Sequence, residues 1–117
     1  VKANDLEERT EKFAADCRAW IKALPRNLTN TEDARQLTRS SGSVAANYIE
    51  GNEALSKKDF LMRLRIARKE AKESGLWIRL IDTGTDTALR NEATRLNDET
   101  KPLRSILTAI LKNSGSA

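Results

Sequence analysis

Phe60, Leu64, Ala67, Ala71, Ser74, Ile78 and Ile81 recur at alternating spacings of four and three residues across three heptads. A strand would send successive members to opposite faces, whereas a helix gathers them on one stripe. The stretch therefore predicts a helix over Lys57–Asp82. Ser56 and Asp59 form its capping box, with Asp in place of the usual Glu. A second flank carries Met62, Ile66, Trp77 and Leu80. A helix that is apolar over so wide an arc is expected to meet more than one neighbour.

The rest of the chain repeats this grammar. Leu6, Thr10, Phe13, Cys17, Trp20 and Leu24 predict a helix over Asn4–Leu24, started by Asn4 or Asp5 and stopped by Pro25. A second helix is expected over Thr31–Ile49, capped by Thr31 or Asn30, with Gly51 supplying a left-handed stop. Its middle, Ser40-Ser41-Gly42-Ser43, is poor in helix formers, which suits a place where another backbone comes close. Leu89, Ala93, Leu96, Thr100, Leu103, Leu107 and Ile110 predict a fourth helix over Thr87–Lys112, with a kink or break at Pro102. The links are short, which favours antiparallel neighbours. The expected fold is all-α: an up-down-up-down antiparallel four-helix bundle, with the 117 residues forming one domain.

Composition narrows the function. Lys and Arg number 21 against 17 Asp and Glu, a net charge of +4. That excess permits an acidic or nucleic-acid partner without demanding one. There is no histidine, so the commonest general base and metal ligand is missing. The lone Cys17 makes no internal disulfide and reads as a small core residue, so a reducing, cytoplasmic setting is expected. No apolar run is long enough to span a membrane, and no signal-peptide pattern is present. The scattered acids Asp82, Asp86 and Glu92 make a poor metal set, and Asp86 reads better as a helix cap. No enzyme, metal or cofactor is expected.

Two polar stripes remain. On the third helix, Lys58, Arg65, Arg68, Lys69, Lys72 and Arg79 fall within about one third of the circumference. Such a face would attract phosphates or a strongly acidic protein. No aromatic interleaves it, so it would read backbone and shape rather than bases. The competing reading is a solvated outer face. On the second helix, Gln36, Arg39, Ser40, Ser43, Asn47 and Glu50 share one side. An active site built on Glu50 and Arg39 would lack a nucleophile. A hydrogen-bond network that fixes helix packing or a subunit contact is the stronger reading. Trp20 and Trp77 read as core residues, with Trp77 also placed to anchor a subunit interface.

The central stretch also resembles a known family. Gln36 with Arg39-Ser40, Ser43-Val44, Ala46-Asn47, Glu50-Gly51, Ser56-Lys57-Lys58-Asp59-Phe60, Ile66-Ala67 and Ala71 with Glu73 follow the pattern of a bacterial group. These are the small four-helix-bundle proteins encoded in intervening sequences of large-subunit ribosomal RNA genes. The accessory variability proteins of diversity-generating retroelements are related to them. The pattern covers about one third of the chain. Lys69-Glu70 departs from it, standing where the family often has a small Gly-Ser pair. The resemblance implies a basic, barrel-like homopentamer without enzymatic activity. For the retroelement members it implies binding of a reverse transcriptase and nucleic acid. The expected function is therefore an oligomeric accessory bundle that binds RNA or DNA, or a nucleic-acid-handling protein, through basic helix faces. The alternative is a protein-binding adaptor or assembly scaffold with no nucleic-acid contact.

Overall fold

The computed structural model describes residues 3–115. Four helices follow one another: α1 Ala3–Ala23, α2 Leu28–Asn52, α3 Lys57–Leu80 and α4 Thr87–Asn113. No strand occurs among the described residues. Each helix packs on its chain neighbours and α1 packs on α4, so the four close into a square with α1 diagonal from α3. The result is the expected up-down-up-down bundle, a rod of about 47 × 22 × 22 Å.

The heptad stripes meet at the centre. Leu6, Thr10, Phe13, Cys17 and Trp20 of α1 are all buried, as is Leu24 just past its end. So are Leu64, Ala67, Ala71, Ser74 and Ile78 of α3, while Phe60 sits half-buried at the rim. On α4 the buried line is Leu96, Thr100, Leu103, Leu107 and Leu111, with Ile110 half-buried. The stripe has moved on by one residue because a 3.6-residue turn drifts against a seven-residue repeat.

Ser56 Oγ accepts the Asp59 amide at 3.1 Å and Asp86 Oδ1 accepts the Leu89 amide at 3.0 Å, as the sequence predicts. Three local expectations need correction. The second helix starts a turn early, capped by Asn27, whose Oδ1 accepts the Asn30 amide at 2.9 Å. Asn30 is engaged elsewhere. Its buried amide donates to the Pro25 carbonyl at 2.9 Å and the Asp82 carbonyl at 2.8 Å, and accepts from the Asp82 amide at 2.9 Å. It thus ties the α1–α2 connection to the end of α3.

Gly51 is not a left-handed stop, because α2 continues to Asn52. It is buried where α3 crosses, and a Cβ there would lie 2.6 Å from Leu64 Cδ1. Pro102 does not break α4. Pro102 and Asp98 are both exposed, so the carbonyl left without an amide lies on the solvent side.

Of the four seams, α2–α3 is the most extensive. Ser40, Val44 and Gly51 of α2 and Ala67, Ala71 and Ser74 of α3 are all buried, with Gly51 against Leu64. Small side chains let the two backbones approach, and the Ser40 and Ser74 hydroxyls pair at 2.8 Å.

Candidate nucleic-acid interface

The polar stripe of α2 divides once α3 is packed on it. Arg39 Nη1 donates to Glu70 Oε2 at 2.8 Å, and Arg39 Nη2 lies 3.6 Å from Glu73 Oε2. Burial works to raise the Glu70 pKa. Hydrogen bonds from Arg39 above all, with Glu73 and Ser43 behind it, outweigh burial and hold the carboxyl below its ordinary range. Asn47 Nδ2 donates to the Ser43 carbonyl and hydroxyl, both at 2.9 Å, and Arg63 Nη1 donates to Asn47 Oδ1 at 3.3 Å. Arg39, Ser40, Ser43 and Asn47 are therefore wiring of the α2–α3 seam. Gln36 and Glu50 are exposed on its margin. Arg39 and Glu50 stand about three helical turns apart on α2, and Arg39 is committed to Glu70.

The α1–α4 seam is also closed by opposite charges. Arg9 meets Glu99 through two hydrogen bonds of 2.8 and 2.9 Å, and Arg95 Nη2 meets Asp16 at 2.9 Å. Glu92 bonds to Arg95 at 2.7 Å, and that bond chiefly holds its carboxyl below the usual range. Trp20 adds an indole bond to the Leu89 carbonyl at 3.0 Å.

The α3–α4 seam is different: it sets base against base. Arg65, Arg68, Lys69 and Lys72 of α3 face Lys101, Arg104 and Lys112 of α4 across an open groove of about 660 Å³. Ser105, Thr108 and Ala109 complete the lining, which contains no carboxylate and no aromatic ring. Arg68 Nη1 reaches across to Thr108 Oγ1 at 3.3 Å, which holds its guanidinium over the floor. Lys101 lies 3.8 Å from the exposed Asp98 at the outer edge.

Four of the six α3 cations singled out by the sequence thus gather in this groove. Lys58 stands outside it at the first turn of α3. Arg79 lies farther along the same seam, donating to Asn97 Oδ1 at 2.9 Å. Lys101, Arg104 and Lys112 were missed because the second wall belongs to another helix. Their spacing of three and then eight residues is a visible face of α4, but only packing shows which helix it opposes. The departure at Lys69-Glu70 resolves into two roles: Lys69 enters the groove and Glu70 is buried on Arg39.

Crowding of like charges is unfavourable in itself. Each cation in the groove raises the cost of its neighbours, and a polyanion relieves them together. The lining presents concentrated positive charge beside the hydroxyls of Ser105 and Thr108.

Among the described residues no helix is long and apolar enough to cross a membrane. The solved structure of a protein of unknown function from the S23 ribosomal protein family of Bacteroides thetaiotaomicron VPI-5482 is 30% identical to this chain. That alignment covers 96% of this chain and 99% of the other, with a TM-score of 0.78. No curated protein matches. The family model described as 23S rRNA-intervening sequence protein matches residues 2–109. With nearly its whole length matched, this chain belongs to the 23S rRNA-intervening sequence protein family.

Proposed function

We propose that the protein is a non-enzymatic, oligomeric bundle that binds RNA or DNA by its phosphate backbone, along the α3–α4 groove. The observation that carries this reading is the two-walled cationic lining, seven Lys and Arg side chains with no carboxylate among them. A merely solvated outer face would mix both signs, as the α1–α4 seam does. Lack of aromatic rings makes the contact one of charge and shape, with little preference for sequence.

Binding of a fluorescent RNA or DNA oligonucleotide, followed by anisotropy from about 50 to 200 mM salt, tests it. Five neutralised phosphates give a slope of log K against log salt of about −4 to −5. Each of R68E, K72E and R104E weakens binding across all sequences and makes the slope shallower by about 1. Binding that survives the triple reversal removes the groove as the site.

A second surface is the one we propose for assembly, which the family resemblance implies is pentameric. Met62, Leu76 and Leu80 project from the outer flank of α3, each more than one third exposed. Ile66 and Trp77 lie half-buried on the same helix. The Trp77 Nε1 is buried without a hydrogen-bond partner among the described residues. A monomer mass by light scattering at micromolar concentration refutes the oligomer. If assembly occurs but nucleic acid is not retained at any salt, the adaptor reading replaces the first.

A further inference from the structure

The groove does not end where its seven cations end. A second cavity, about 280 Å³, opens on the same α3–α4 seam. Arg79 and Arg90 are its charged residues, beside Thr94 and Asn97, and it too lacks carboxylates and aromatic rings. Arg79 is exposed, and its guanidinium is laid across the seam onto Asn97 Oδ1 at 2.9 Å. Buried Gly75 makes this possible: a Cβ there would sit 2.9 Å from Arg79 Nη1 and 3.2 Å from Asn97 Oδ1. From Lys112 back to Arg90, α4 rises about 33 Å at 1.5 Å per residue.

We infer that the two cavities form one straight phosphate track, with Arg79 and Arg90 as its second half, and that its ligand is a double helix about one turn long. This rests on the nucleic-acid reading above and specifies the ligand. Two observations select the double helix. Proteins that hold single strands supply aromatic platforms on which unpaired bases stack. This seam supplies none, so its ligand must bring bases already stacked and paired. The length also fits, because about 33 Å spans roughly ten steps at 3.4 Å per base pair. Neighbouring helix axes lie about 8–10 Å apart. Laid parallel to the duplex axis, the seam meets each phosphate ridge where that ridge crosses it and leaves the base pairs outside.

The test titrates the full chain with labelled RNA and DNA duplexes of 6, 10 and 14 base pairs, and with the matching single strands, at one low salt concentration. Affinity should rise at least tenfold from 6 to 10 base pairs and then level off. That exceeds the two- to threefold gain that extra binding registers alone would give. The double variant R79E/R90E should weaken the 14-base-pair complex about tenfold and leave the 6-base-pair complex within twofold. G75A, which displaces Arg79 without altering charge, should shift the long duplex in the same direction. Single strands should bind at least tenfold more weakly than duplexes of equal length. Affinity independent of length, or unmoved by R79E/R90E, overturns the second half of the track. Single strands binding as tightly as duplexes overturn the double helix. If no oligonucleotide binds, or binding ignores R68E/K72E/R104E, the proposed function itself fails.

Discussion

Replacing Arg39 by alanine should reverse how the stability of this bundle responds to pH. Glu70 is 5% exposed, and Arg39 is its main counter-charge. Removing one partner of a buried ion pair costs about 3–5 kcal/mol. Arg39 itself is more than half exposed, and solvent can partly replace it, so about 2 kcal/mol is expected at pH 7. In the natural chain the Glu70 pKa is lowered on folding, although burial pulls the other way. Its contribution is therefore present above the unfolded value of about 4.3 and lost as pH falls below it. In R39A, burial outweighs the remaining hydrogen bonds from Glu73 and Ser43 and raises the folded pKa. The penalty then applies at neutral pH and shrinks as pH falls toward about 4.3. The gap between the two proteins must be narrower at pH 4.5 than at pH 7. Urea unfolding followed by circular dichroism, at equal protein concentration and several pH values, reads it directly. Other acids titrate in both proteins and cancel in the difference. A cost under about 0.5 kcal/mol at pH 7, or a gap unchanged at pH 4.5, would refute the view that Arg39 is the main group keeping Glu70 charged.

Three further outcomes are expected. G51A drives a methyl to 2.6 Å from Leu64 Cδ1 and should cost about 1–3 kcal/mol in chemical unfolding; a neutral result would mean that α2 and α3 can part without loss. Asn30→Leu strips hydrogen bonds from the Pro25 carbonyl and from both backbone groups of Asp82, and should cost about 2–3 kcal/mol with faster hydrogen exchange at the Asp82 amide. Burial pushes the Cys17 thiol up to about 12, so a disulfide reagent at pH 8 should modify it only at the rate of unfolding; rapid modification of the folded protein would contradict the packing.

Most of the architecture is readable in the residues because periodicity reports what a helix must bury. The α1 stripe from Leu6 to Leu24 is buried at every predicted position. The errors fall where one residue type serves two purposes. Gly51 reads as a stop because glycine tolerates positive φ, yet it is needed for space beside Leu64. Asn30 reads as a cap because asparagine caps helices, yet it satisfies backbone groups 52 residues away. Neither distinction exists until a neighbour is placed. The candidate site was half visible for the same reason. Arg65, Arg68, Lys69 and Lys72 share a helix face that anyone can plot. Their partnership with Lys101, Arg104 and Lys112 is a property of the seam.

The Asn30 bridge gives the rod unequal ends. At that pole the α1–α2 and α3–α4 connections are fastened to each other through Pro25 and Asp82. The far pole has the α2–α3 connection, and it is toward that pole that Arg65 and Lys112 open the wider part of the basic seam. Elastic compliance must then be graded along the axis, as in a clothes-peg whose spring sits at one end. If the seam takes a duplex as proposed, its Lys112 end is the one expected to yield and its Arg90 end the one expected to keep its spacing.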